Sequence, residues 1–270
     1  MTQSRPTQPR RWKSLAFASV TLAASPALAN LQRPVTLSVP EARIWLAQAQ
    51  GGEGGEAGVT SNATPDAAYL AELMIVEGHY LAARDLYAMG AKDKAVELSN
   101  HPADEGTLAA LRKQIVAHKA ADVADAIAAF TATLAKAAPQ AEVDAALTAV
   151  SAAFAKASAV QADQVRARFD GVVLLLKAAA DEYQASIKDG AVQDIMGWHE
   201  AWSFVGLARV RLQDLTAVAL SAKAAPRALK ALEAVDAAFG DPAAAVPLAG
   251  DGQLLLTVAA KVELIASSVR

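Results

Sequence analysis

The sequence predicts an all-α protein, an antiparallel up-and-down helix bundle preceded by a flexible N-terminal segment of different composition. Three observations predict it. From residue 64 onward apolar side chains recur at spacings of three and four, as at Val143, Leu147, Val150 and Phe154, which aligns them on one stripe of a helix. Alanine, the strongest helix former, fills the positions between. Glycine and proline gather in a few short stretches between these runs, and consecutive helices joined by short loops lie antiparallel.

Before the bundle, residues 31–50 form an opening segment in which Val35, Leu37 and Val39 alternate with polar residues between Pro34 and Pro40, the pattern of one short strand. The stretch GGEGGEAG at 51–58 is too rich in glycine to pack and reads as a solvated tether. Thr64, Pro65 and Asp66 then supply an N-cap, an N1 proline and a first-turn acid. That helix should stop at Gly90, and KDKAVELSN at 92–100 should form a short second one. His101-Pro102-Ala103-Asp104-Glu105 reads as the start of another, with a proline and two acids in its first turn, running to about Ala137 with a break near Ala120. Pro139 separates it from a helix at 140–157. Further helices are expected at 160–188, closed by Asp189-Gly190, at 193–214, at 217–239 with a break before Pro226, and at 253–269 after a loop at 240–252. The bundle domain is therefore 64–270, behind an N-terminal segment at 30–63.

Residues 1–29 read as a secretory signal peptide. Arg5, Arg10, Arg11 and Lys13 form a basic start without an acid, the run from Ser14 is apolar, and Ala27-Leu28-Ala29 is a small-residue exit. Arg10-Arg11 is the pair of a twin-arginine signal, but Lys13 stands where that signal wants a large apolar residue, so ordinary secretion to the periplasm is expected. The apolar run falls short of the ~20 residues that span a bilayer. No later stretch is expected to cross a membrane; the best rival, 171–180, is interrupted by Lys177. Removing the four basic residues of the leader leaves 21 basic against 28 acidic side chains, a net charge of −7 with neutral histidines. That acidity argues against nucleic acid, whose phosphates need a basic footprint, and is compatible with cations.

Absences narrow the chemistry. The chain has no cysteine, which removes thiolate metal sites, iron–sulfur clusters and cysteine nucleophiles. It has no G-x-S-x-G elbow, no glycine-rich phosphate loop between a strand and a helix, and no H-E-x-x-H, since Ala201, Trp202 and Ser203 follow His199-Glu200. A non-catalytic protein is expected.

Histidines and glutamates carry what special chemistry there is. Glu72 and His79 lie two turns apart on one helix face, whereas Glu77, two residues from His79, points about 200° away. His79 should therefore pair with Glu72 or with a group from another helix. His101 and Glu105 form an i,i+4 pair able to hold one ion if His101 is helical, and the hairpin between their helices could bring them towards His79. A second cluster follows from a hairpin turning near Ala191, which sets Glu182, Tyr183, His199 and Glu200 at one level, flanked by Trp198 and Trp202. Two carboxylates and an imidazole from facing helices are what bundle metal sites use, and such ligands suit iron, copper or zinc more than calcium. The candidate ligands are His79, His101, Glu105, Glu182, His199 and Glu200. Without metal, the same residues would be satisfied core polar groups, and Trp198 and Trp202 would be anchors of a helical interaction module. His118, followed by Lys119 near a helix end, favours the helix dipole.

The stretch at 174–212 resembles a helical hairpin of bacterial iron-uptake proteins. It is similar to the imelysin-like domain of periplasmic iron-uptake lipoproteins and to the extracytoplasmic domain attached to some iron permeases. Those hairpins carry a helix ending in E-Y, an aspartate–glycine turn, and a helix with an aromatic–acid–phenylalanine pattern; Glu182-Tyr183, Asp189-Gly190, Trp198, Glu200 and Phe204 fill these places. The stretch at 77–105 also looks like a recurring element of helical exported proteins linked to metal uptake. Imelysin-like domains carry an H-x-x-E metal motif; here His101 is followed by Asp104 at that spacing and by Glu105 one later, and His199-Glu200 are adjacent. The resemblance implies an extracytoplasmic accessory of metal uptake, iron foremost, serving a membrane permease or a periplasmic uptake partner. An imelysin-type peptidase is its third implication.

Overall fold

The computed structural model describes residues 58–240 and 249–269. The leader at 1–29, the strand at 35–39, nearly all of the glycine-rich stretch and the middle of the loop at 240–252 lie outside the described residues.

Helix dominates throughout, as the periodicity predicts. Helix α1 spans Pro65–Ala88; the Thr64 side chain accepts a hydrogen bond from the Ala67 N–H, as an N-cap does. It ends where Gly90 takes a positive φ of 86° and Ala91 N–H donates to Leu86 O, a left-handed cap that glycine adopts at no steric cost. Then come α2 (Lys92–Asp104), α3 (Thr107–Ala117), α4 (Ala124–Ala135) and α5 (Gln140–Ser158). A 3₁₀ turn, Ala159–Gln161, leads to α6 (Val165–Ser186). Helix α7 (Ile195–Thr216) returns antiparallel, followed by α8 (Ala224–Leu232), the single-turn α9 (Asp236–Phe239) and α10 (Gln253–Ala266).

Helix α1 is the central element. Its apolar residues are spread around its circumference, so it is buried along nearly its whole length. Through Tyr69, Leu73, Val76 and Tyr80 it packs into a core shared with α2–α5. Met74 and Ile75 face a second core, built by α6–α10. Gly78 lets α7 approach: a Cβ there would stand 2.3 Å from the Phe204 ring.

The structure departs from the expected elements at three places. His101-Pro102 does not start a helix but lies in the last turn of α2, and Gly106, at φ 80°, breaks the chain before α3. A proline two residues from a helix end removes a single interior hydrogen bond, so α2 runs through it. The run expected to reach Ala137 does break near Ala120, into α3 and α4, parted at Lys119, which adopts a positive φ of 53°. The α6–α7 connection is a two-stranded ladder, β1 (Ile187–Lys188) with β2 (Ala191–Val192), closed by Asp189 and Gly190 at φ 55° and 74°. Asp-Gly with both residues at positive φ is the type I′ hairpin signature. Finally, Gln140–Gln161 is long and apolar enough to cross a membrane by length and composition, against the expectation of none. Much of that hydropathy is alanine, and its large apolar residues, Val143, Leu147, Val150 and Phe154, are buried in the α1–α5 core.

Candidate metal centre

The α1–α7 seam brings polar groups to one level of the core. Helix α1 presents His79, α7 presents Glu200, and the last turn of α2 presents His101. One ligand atom from each lies within 4.8 Å of the other two. His79 Nε2 is 3.2 Å from Glu200 Oε1, and His101 Nδ1 is 3.6 Å from the same oxygen. Glu105, the C-cap of α2, stands beside them, its Oε1 3.6 Å from His101 Nδ1. His79 and Glu200 are 1% and 4% exposed, while the His101 side chain keeps 26% of its surface. The cluster is thus closed on the α1–α7 side and reaches solvent past His101. The Phe204 ring, 5.7 Å from that of His79, forms an apolar wall.

The hydrogen bonds of His79 define its chemistry. Nδ1 lies 2.9 Å from the Ile75 carbonyl oxygen, which can only accept, so Nδ1 carries a proton. In a neutral imidazole Nε2 then holds a lone pair, aimed at a carboxylate oxygen. Two acceptors 3.2 Å apart repel unless a cation stands between them, either a proton on Nε2 or a metal ion. A backbone carbonyl on the remote nitrogen is also how metal-binding histidines are oriented. Glu200 Oε1 is buried, with the two imidazole nitrogens as its neighbours at 3.2 and 3.6 Å. Burial alone would raise the Glu200 carboxyl, but His79 and His101 hold it below its ordinary value. The Glu200 carboxylate in turn raises His101, against the effect of its burial.

Three of the six residues expected as ligands therefore meet, His79, His101 and Glu200, and a fourth, Glu105, touches His101. Glu182 and His199 do not join them. The hairpin pivots between Asp189 and Gly190, not at Ala191, since Ile187 pairs with Val192. That register sets Glu182 opposite Gly197, where a Cβ would lie 3.4 Å from Glu182 Oε2. Tyr183 also leaves the expected level: its hydroxyl donates to Ala238 O and accepts from Gly250 N–H. His199 is buried, neither ring nitrogen is hydrogen-bonded among the described residues, and burial pushes its pKa down to about 4, so it is neutral near pH 7. Trp198 is wholly buried, and both Trp198 and Trp202 pack edge-on against Phe239, so these rings build the α7–α9 core. Glu77 points away from His79, as the spacing predicts, and pairs with Arg211. His118 caps the end of α3, stacks on Tyr69 and contacts Gln161.

Sequence reasoning brought His101 and Glu105 towards His79 but did not pair His79 with Glu200. The available signal was a glycine beside His79 and a phenylalanine one turn beyond Glu200, a small and a large residue that fit each other across two helices. No protein-family model, no curated protein and no solved structure matches the chain.

Proposed function

We propose that this protein is a periplasmic, non-catalytic metal-binding accessory of metal uptake, with iron as the first-ranked cargo and copper or zinc as the others. The observation that carries this reading is the convergence of His79, His101 and Glu200 from three helices within 4.8 Å. Two imidazoles and a carboxylate form the donor set of open Fe(II) sites and also suit Zn²⁺ and Cu²⁺. An incomplete protein shell leaves positions open for exchange, which suits a carrier better than a structural site. Partly exposed His101 and Glu105 provide the path in and out. The resemblance of residues 174–212 to imelysin-like domains supports the same role and supplies the partner, a membrane permease or a periplasmic uptake protein.

Calorimetric titration of Fe(II), Cu(II) and Zn(II) into the purified protein tests it. One ion should bind per chain, more tightly than millimolar, which is about −4 kcal/mol. Affinity should fall with pH as protons compete for the imidazoles. No metal binding tighter than millimolar would end the proposal.

A further inference from the structure

Along the same α1–α7 seam, on the opposite face of α1 from His79, lies a cavity of about 230 Å³. Its inner wall is apolar, made by Leu70, Leu73, Met74, Phe154 and Leu215, all buried. Its polar side holds Glu77, Arg168, Arg211 and Asp214. We propose that this cavity is a binding site for a small monocarboxylate with an aromatic or branched apolar body, its carboxylate held by Arg168.

The charges single out Arg168. Buried Glu77 is committed to Arg211, and the Ser151 hydroxyl also bonds to it. Asp214, at the exposed rim, lies 3.9 Å from Arg211 Nη1. Both acids of the lining are thus drawn to Arg211. Arg168 has no carboxylate within ion-pair distance among the described residues; its Nη1 donates only to the Ala162 carbonyl, at 3.3 Å. Burial lowers the Arg168 pKa and so does the charge of Arg211, with Asp214 opposing. A guanidinium has five N–H donors in a planar fork, and a carboxylate matches that fork with two parallel bonds.

Size and wall chemistry restrict the rest of the ligand. An apolar protein cavity of roughly 150 Å³ accommodates benzene. About 230 Å³ therefore holds one ring with a short acidic arm, such as phenylacetate. Five apolar residues at the wall disfavour a bare inorganic anion, which would be stripped of water there without compensation.

Phenylacetate and its neutral isostere phenylacetamide, titrated into the purified metal-stripped protein and followed by calorimetry, test the assignment. Removing metal ensures that the acid is not recruited as a metal ligand. The acid should bind saturably below about 1 mM and at least tenfold tighter than the amide. Arg168→Gln should erase that preference, while thermal melting confirms that the variant is folded. Equal binding of acid and amide, or no saturable acid binding up to about 10 mM, would overturn the proposal, as would unchanged acid affinity in Arg168→Gln. If Arg168→Gln does not fold, the acid–amide comparison on the unaltered protein decides alone.

Discussion

His79 is anchored by its own helix: the Nδ1–H bond to Ile75 O fixes both the tautomer and the ring plane, so Nε2 faces Glu200. Glu200→Gln replaces a charge-bearing ligand by an amide, and metal affinity should drop at least tenfold in calorimetry. Glu182→Gln should leave it within about twofold, a change worth under 0.5 kcal/mol, because Glu182 lies against Gly197. This contrast was not legible in the sequence. The hairpin level of each residue hung on the pivot of the turn, and Asp-Gly at positive φ moves that pivot from Ala191. A separate residue-scale effect concerns Asp181 on α6, whose carboxyl burial pushes above its ordinary value. A raised folded-state pKa means that the ionised form destabilises the fold above that pKa, and the cost vanishes as pH falls through it. Asp181→Asn should therefore raise the melting temperature at neutral pH, with a gain that shrinks as the pH is lowered towards the acid range.

Among the elements, α1 decides most. Its cap was readable in Thr64-Pro65-Asp66, and its stop in Gly90, because capping is local chemistry. The partner of its polar face was not readable, because His79 and Glu200 meet only through packing of helices far apart in sequence. Gly78 is the hinge of that packing. In an isolated helix, replacing glycine by alanine gains roughly 0.5–1 kcal/mol. Here the new Cβ would stand 2.3 Å from the ring of Phe204, which is wholly buried. Overpacking of this kind costs about 1–3 kcal/mol, so Gly78→Ala should destabilise the protein in urea titrations despite its better propensity. Helix α2 shows the opposite limit of local reasoning. His101-Pro102 has the residues of a helix start, but the apolar face of α2, with Ala95 and Leu98 in the core, keeps the helix going to Asp104.

In the whole molecule, the two cores share α1, and the His79–His101–Glu200 cluster ties together helices from both. Helical class and the order of the long helices were legible, since periodicity and composition report on them directly. Convergence of two polar clusters distant in sequence was not, because it depends on which faces the helices present. A metal bound to such a cluster stabilises the native state by mass action, by about 2.7 kcal/mol at a hundredfold excess over the dissociation constant. At 2–4 °C per kcal/mol for a domain of this size, saturating metal should raise the melting temperature by about 5–10 °C. His79→Ala should abolish that shift.

The most direct test of the centre is the X-ray absorption spectrum of the protein loaded with one equivalent of Zn²⁺. Ligation by His79, His101 and Glu200 predicts a shell of nitrogen and oxygen donors with the outer-shell scattering of two imidazoles, reduced to one in His101→Ala. A spectrum with oxygen donors only, or one that His101→Ala leaves unchanged, would contradict the assignment.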